Sequence, residues 1–561
     1  MTVDCRMVFW GLVSALGVSL GSAAVPPRSN VLFIAIDDLR PELGCYGREQ
    51  IVSPNIDRLA ASGLTFGRAY CQQAICNASR ASLMTGLRPD TIGVHDLTTH
   101  FRTKVPSVIT LPQRFKESGY HAQALGKVYH PAFPGFGIGS DLGDPMSWSE
   151  PSWLGGPRYY YSPLGVKLAR ELYEAKLMQN TSGGPNWVAE ARARNAARKD
   201  VPQHAEDWKM VNVRVLATEA PDVPDSALYD GEVTDRAIGA LRRLQSRAAP
   251  SASGPGQPFF LAVGYLKPHL PFVAPKKYWD LYDPSRIELA GNPHPPRDVP
   301  AVAMRLPMDE LRDTYPKDVR VGPGSERGEA DPDGATTDIP KRGPLTQEQE
   351  RRLRHGYYAC VSFIDAQVGR LLDELERLGL SGNTIVLLYG DHGFSLGEHG
   401  LWGKLTNFED ANRSPLIVSV PGAKAPGRTT DALVELVDIY PSLCELAGVT
   451  PPAELEGTSF APLVDDPDQP WKTAAFSQYP RGEVMGYSIR TNRHRFTQWQ
   501  SAQDPNRVEG LELYDHVTDP AENRNLAALP ENAVTVRRLT EQLRLGWKHA
   551  RQPILIHGGV D

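Results

Sequence analysis

The chain is short of cysteine, of like-charge blocks and of long apolar runs. Six cysteines lie scattered through 561 residues, too few and too dispersed for a disulfide-stapled scaffold. Acids outnumber bases to give a net charge of −6, and no basic block stands out. That excludes a nucleic-acid footprint and a basic membrane face. Beyond residue 24 no run is apolar and long enough to span a bilayer, which excludes stable membrane insertion. There is no internal repeat, so a solenoid is excluded too. What remains is a large globular chain with ample length for a buried core.

The first 24 residues read differently. Arg6 precedes an almost uncharged run from Met7 to Leu20, followed by the small residues Gly21-Ser22-Ala23-Ala24. This is the pattern of a secretory signal, so the expected destination is secreted or periplasmic. Its removal takes Cys5 and leaves Cys45, Cys71, Cys76, Cys360 and Cys444. An odd number of thiols in an oxidising compartment points to one that is free or chemically altered, and Cys76 is the candidate.

Continuous apolar runs mark strands buried on both faces, the kind that build parallel sheets. They are expected at 30–36, 259–265, 384–389 and 415–420, and a further strand is expected at 120–125. Helices are expected at 54–61, with Ser53 as N-cap and Pro54 at its first position, at 230–244, through Leu353 to Leu375, and at 433–446. The fold class is therefore α/β, with a mostly parallel sheet flanked by helices. Residues 25–470 are expected to form the main domain, interrupted by a long insertion at about 131–225, and 280–345 reads as loop. From 471 to 561 short alternating stretches and a last helix near 534–549 predict a small antiparallel sheet with a helix packed on it.

Four of the predicted strands release polar residues directly after their apolar run. They deliver Asp37-Asp38, then Lys127 and His130, then His269, then Asp391-His392. In open parallel sheets the ligand crevice lies at the carboxyl ends of the strands, so these distant residues are expected to share one site. Singly, each has an ordinary reading as a turn, a cap or a structural histidine. Two acidic pairs ending buried strands are costly unless a cation neutralises them. Three carboxylates favour a hard divalent ion, whereas His392 suits a softer one, so composition leaves the metal open. Cys76 is placed to open a helix, with Arg80 one turn on and on the same face. Cations beside a metal and a nucleophile, Lys404 among them, suit transfer of a tetrahedral oxyanion group.

The stretch Cys76-Asn77-Ala78-Ser79-Arg80 with Leu83-Met84-Thr85-Gly86 resembles the signature of the type I, formylglycine-dependent sulfatases. The surrounding segments resemble the iduronate-2-sulfatase branch and its bacterial relatives. They include Asp37-Asp38, Gly126-Lys127-Val128-Tyr129-His130-Pro131, Lys267-Pro268-His269-Leu270-Pro271-Phe272, Asp391-His392-Gly393 and Gly397-Glu398-His399-Gly400. The resemblance implies an alkaline-phosphatase-like fold and hydrolysis of a sulfuric ester on a sulfated sugar or polysaccharide. It also implies that a formylglycine-generating enzyme oxidises Cys76. One calcium ion would be bound by Asp37, Asp38, Cys76, Asp391 and His392. Arg80 would hold the hydrated aldehyde, His130 would take its proton, Lys127 and Lys404 would bind sulfate, and His269 would protonate the leaving alcohol.

Two departures stand out. Ala78 replaces the usual proline, and Phe394 replaces the tryptophan of the iduronate branch. The rival readings are a phosphoester or phosphonate hydrolase on the same fold, and a non-catalytic binder of sulfated glycans in which Cys76 is not converted. A single visible metal set disfavours the first. Asn77-Ala78-Ser79 and Asn180-Thr181-Ser182 also match glycan acceptor patterns, though a glycan on the first would block the site.

Overall fold

The computed structural model describes Met1 and residues 28–130, 143–155, 159–179, 214–248, 256–304, 310–311, 344–504 and 506–551. The expected leader, except for Met1, lies outside them, as do Asn180 and much of the 131–225 and 280–345 stretches.

Seven strands form the main sheet: β1 (Asn30–Ile36), β2 (Leu64–Tyr70), β3 (His121–Gly126), β4 (Phe259–Tyr265), β5 (Thr384–Gly390), β6 (Arg413–Ser419) and β7 (Arg428–Glu435). Their order is β7-β2-β6-β5-β1-β4-β3. β1 is an interior strand, parallel to β4 and β5, with Ile34 opposite Val263 and Leu388. β6 alone runs against its neighbours β2 and β5. Every β1 residue is buried because alternate side chains enter different cores. Leu32, Ile34 and Ile36 join one apolar layer, and Val31, Phe33 and Ala35 the other. A strand apolar on both faces is stable only between two covering layers, which is what its sequence requires.

Helices supply those layers: α1 (Pro54–Ala61), α2 (Cys76–Thr85), α3 (Tyr229–Ala248), α4 (Gln347–Arg377) and α5 (Ile439–Leu446). α3 and α4 cover one face through Val233, Ala237, Leu241, Leu353 and Tyr357. α2 and α5 cover the other through Ala78, Ala81, Leu83, Ile439 and Leu443. α4 opens on a capping box, in which Thr346 and Gln349 satisfy each other's backbone N–H groups.

The second sheet is antiparallel and sequential: β8 (Ala475–Arg481), β9 (Val484–Arg490), β10 (His494–Ser501) and β11 (Val508–Asp515). Helix α6 (Ala533–Ala550) packs Leu539 against Ile489, Phe496 and Leu513. Alternation in these strands leaves one face for that helix.

Several expectations need correction. β2 was not expected, because Gly67 and Arg68 interrupt its apolar run, yet its neighbours bury it. The helix expected at 433–446 starts only at Ile439, because Leu433 to Glu435 complete β7 beside β2. Ser53 occupies the N-cap position without capping. Its hydroxyl instead accepts from Gly44 N–H and donates to Asp57, pinning the loop before α1. The insertion holds a helix at Pro163–Gln179 where no periodicity was read.

The two sheets are joined by a buried ion cluster. Glu435 accepts two hydrogen bonds from the Arg88 guanidinium at 2.8 and 3.0 Å, one from Lys472 at 2.6 Å and one from Phe476 N–H at 3.0 Å. Lys472 also reaches Asp438 at 2.5 Å. Burial raises the Glu435 carboxyl, but Arg88 and Lys472 outweigh it and bring it down to about 2. Glu435→Gln is expected to lower unfolding free energy by about 3 kcal/mol at neutral pH, because Arg88 is left buried without its carboxylate and Lys472 keeps only Asp438. A depressed carboxyl stabilises the fold fully above its unfolded pKa, near 4.5, and loses that contribution as pH falls toward about 2. Urea melts from pH 7 to pH 3 test this: the gap between wild type and variant should narrow on acidification, and a constant gap would refute the assignment.

Candidate active site

Five strands of the main sheet end at one place. β1 releases Asp37 and Asp38, β3 Lys127 and His130, β4 His269 and β5 Asp391 and His392. β2 leads through residues 71–75 to Cys76 at the first turn of α2. The convergence anticipated from four strands is observed, and β2 adds the fifth. Cys76 is 1 % exposed, and Asp37, Asp38, Arg80, Asp391 and His392 are 0 % exposed.

Ligand atoms of Asp37, Cys76, Asp391 and His392 all lie within 4.8 Å of one another, and so do those of Asp37, Asp38, Cys76 and His269. Two details show that the cluster fits a cation. Asp38 Oδ2 is buried without a hydrogen-bond partner, and an orphaned carboxylate oxygen is costly unless something positive approaches it. Asp38 also has φ 57°, an unfavourable backbone setting for this residue type that turns the loop at the end of β1. The His392 ring supplies the second detail. Its Nδ1 faces the Gly393 carbonyl at 2.9 Å, and a carbonyl only accepts, so Nδ1 carries the proton. Nε2 therefore turns a lone pair toward Cys76 Sγ at 3.3 Å and Asp391 Oδ1 at 3.5 Å. Three carboxylates with one imidazole match a hard divalent ion better than a soft one.

Arg80 ties these pieces together. Its Nε donates to Asp391 Oδ2 at 2.7 Å, its Nη2 approaches Asp37 Oδ1 at 3.4 Å, and its Nη1 donates to the carbonyls of Lys127 and Val128, the latter at 2.9 Å. One guanidinium thus fixes the ends of β1, β3 and β5 relative to α2. Ser79 donates its hydroxyl to the Asp391 carbonyl. Lys127 pairs with Asp37, and Lys404 reaches Asp38 Oδ1 at 2.7 Å. Burial works against each carboxylate's charge. For Asp37 the surrounding Lys127, His269 and Arg80 win and hold it well below the usual range. Asp38 goes the other way, raised by burial and by neighbouring carboxylates despite Lys404. The pair cannot both be fully charged cheaply without a cation.

Cys76 behaves unlike an activated thiolate. Burial, and then Asp37, push its thiol well above the ordinary range, overriding the favourable helix start. His130 and His269 are both held well below 6.5, first by burial and then by neighbouring lysines. His269 Nδ1 faces the Leu270 carbonyl at 2.7 Å and so carries its proton. The adjacent Lys267 donates to the carbonyls of His269 and Pro271 at 2.5 and 2.6 Å, fixing this loop. Asn77 donates to the Asp96 and Thr99 carbonyls at 2.9 and 2.8 Å, so its amide is engaged inside the fold rather than presented as a glycan acceptor.

One residue at the site was not singled out in the sequence. Glu310 lies 2.9 Å from Lys404 and 3.3 Å from His269. It comes from a stretch of Pro, Gly and charge with no periodicity, where nothing distinguishes one glutamate from another. The other residues expected at the site are brought together.

The family model described as Sulfatase matches residues 29–138 and 156–449, and a model described as N-sulphoglucosamine sulphohydrolase, C-terminal, matches 397–548. Iduronate 2-sulfatase of Mus musculus is 34 % identical over 93 % of this chain and 95 % of its own length. Among solved structures, a protein in complex with its substrate D-glucosamine-2-N,6-O-disulfate has a TM-score of 0.64 at 20 % identity, covering 94 % of this chain and 99 % of that one. The phosphonate monoester hydrolase of Agrobacterium radiobacter also has a TM-score of 0.64, at 22 % identity, covering 94 % and 97 %. At such identities the structural matches establish the alkaline-phosphatase-like fold, while the family model and the iduronate 2-sulfatase identity carry the assignment: the chain belongs to the sulfatase family and is a sulfate-ester hydrolase.

Proposed function

We propose that the chain removes sulfate from a sulfated sugar or polysaccharide, using a formylglycine made from Cys76 and one bound calcium ion. The observation that carries this reading is the place of Cys76: its sulfur shares both ligand clusters, yet its environment keeps the thiol protonated. Such a cysteine is a poor nucleophile as it stands, and a useful one after oxidation. Oxidised and hydrated, residue 76 supplies one hydroxyl to attack sulfur and a second whose ionisation expels sulfate and restores the aldehyde. Asp37, Asp38, Asp391, His392 and residue 76 would hold the calcium ion, which when bound would supply charge neutralisation for the sulfate oxygens.

The protein's own side chains do the rest. Arg80 holds residue 76 against Asp37 and Asp391, so the reacting atom is positioned before substrate arrives. Lys127 and Lys404 each retain N–H donors for sulfate oxygens after pairing with Asp37 and Asp38. His130, neutral in this setting, accepts the proton of the second hydroxyl. His269 carries its resting proton on Nδ1, so it donates to the leaving alcohol only from its doubly protonated form, through Nε2.

The chain's conversion is tested by the mass of the tryptic peptide Ala69–Arg80 from protein made with a formylglycine-generating enzyme, together with sulfate release from an aryl sulfate. Oxidation of Cys76 with turnover is expected. An unmodified thiol beside a competent converting enzyme would overturn the mechanism and favour a binding protein, the outcome that Ala78 makes worth checking.

Calcium should raise the melting temperature of the wild type in a concentration-dependent way. Asp38→Ala should remove that response. A melting temperature indifferent to calcium in the wild type would eliminate the proposed ligand set.

Because burial and Lys404 hold His269 well below 6.5, its donating form is lost as pH rises through that lowered value. Turnover of an alkyl or sugar sulfate should therefore fall from an acidic optimum. His269→Ala should cost about 10²–10⁴ in kcat on such esters and much less on a nitrophenyl sulfate, whose leaving group needs no proton. Equal losses on both substrates would rule out the acid role.

A further inference from the structure

Glu310 stands on the sulfate side of the site and outside the proposed metal set. Its Oε2 lies 2.9 Å from Lys404 Nζ, and its Oε1 lies 3.3 Å from His269 Nε2 and 3.9 Å from Arg214. The side chain is 15 % exposed, so it faces cations in a medium that screens them poorly. Burial raises its carboxyl, but Lys404 and Arg214 outweigh that and keep it below the usual range. Lys404 has three N–H donors. Asp38 takes one, and the Glu310 carboxylate stands 2.9 Å away as an ion-pair partner, which leaves N–H capacity on Lys404 for a ligand oxygen beside that carboxylate.

The consequence lies in the charge of the pocket. Asp37, Asp38 and Asp391 are matched by Arg80, Lys127 and Lys404, through the ion pairs already described. Glu310 is a further negative charge beyond that balance. With a divalent cation in the cluster and Arg214 counted beside Glu310, the group carries two net positive charges while Glu310 is present and three if it is neutralised. A sulfate ester bears one negative charge. Free sulfate, the product, bears two, and so does an ionised phosphate monoester. Repulsion from a fixed carboxylate grows with the charge of the ligand, so Glu310 penalises a dianion about twice as strongly as a monoanion.

We propose that Glu310 is a specificity-determining residue that biases the anion pocket toward a singly charged ester, against the doubly charged product and against phosphate monoesters. The proposal rests on the reading of Lys404 and His269 as the sulfate side of the site. It assigns product release to a side chain that reaches both of those groups.

The test compares methyl sulfate with inorganic sulfate, which share the tetrahedral head and differ by one charge. Calorimetric dissociation constants are measured for both anions at fixed ionic strength, in the calcium-loaded wild type, Glu310→Gln and Glu310→Asp. Taking the ratio of the two anions within each protein, and then comparing proteins, cancels the effect of the methyl group. In Glu310→Gln the ratio should move toward inorganic sulfate by about tenfold or more, and inorganic sulfate should become a correspondingly stronger inhibitor of aryl sulfate turnover. Glu310→Asp, which keeps the charge, should stay near the wild-type ratio. If Glu310→Gln does not fold, Glu310→Ala removes the same charge and is read the same way.

A ratio within twofold of wild type in the charge-removing variant overturns the proposal even when the wild type hydrolyses aryl sulfate normally. A wild type that binds both anions but turns over no sulfate ester defeats the hydrolase reading while leaving the charge comparison intact. A wild type that binds neither anion removes the pocket, and both readings with it.

Discussion

The structure depends on one buried arginine. Arg80 is completely enclosed, and its guanidinium bridges Asp391 and Asp37 while donating to the backbone that follows β3. A buried cation of this kind is tolerated only when its donors meet fixed acceptors, and here the acceptors come from three strands of different sequence origin. The same contacts that satisfy the arginine therefore also set the distances between the carboxylates, the lysine and residue 76. Its charge is reinforced rather than suppressed by burial, because Asp391 and Asp37 outweigh desolvation.

A second tier of polar contacts steadies the loops that carry the carboxylates. The Tyr357 hydroxyl on α4 donates to the Asp38 carbonyl at 2.8 Å and accepts from Arg40 N–H at 3.0 Å. Arg40 in turn pairs with Glu398 at 3.0 Å, and Glu398 also meets Arg354 at 2.7 Å. Arg40 follows the first acidic pair by two residues and Glu398 lies a few residues beyond the second, so this pair staples the two acidic loops from behind. Glu398 is brought down to about 2 by Arg40 and Arg354 against the opposing effect of burial. The long helix thus has a role beyond covering the sheet, because it anchors the site from outside the reaction zone.

The second sheet is fastened by the same principle. Arg495 lies between Glu522 at 2.8 Å and Glu409 at 2.5 Å, and His516 reaches Glu522 at 3.0 Å. Glu409, His516 and Glu522 satisfy the distances for a metal group, but Arg495 already supplies the positive charge. The contrast with the strand-end cluster is instructive. There Asp38 keeps an oxygen without a partner, whereas here the carboxylates are bound by arginines.

The sequence by itself determined the class of fold and most of the site. Apolar runs without alternation indicate buried strands, polar residues directly after parallel strands gather at the sheet's carboxyl edge, and the segment around Cys76 resembled the sulfatase signature. Asp37, His269 and Asp391 were legible because they follow almost uninterrupted apolar strands, and Lys127 because it follows the short run Ala124-Leu125 and a glycine. β2 was not legible, since Gly67 and Arg68 break its pattern and only its pairing with β6 and β7 makes it a strand. Ser53, a cap by residue type, was redirected by Gly44 and Asp57. Glu310 left no local trace, because what gives it a role is its distance from Lys404 and His269, residues of remote segments. Local pattern reports what a residue's own element requires of it. Which charge meets which, and therefore the net charge that a substrate encounters, is decided only when the strands and loops close on one another.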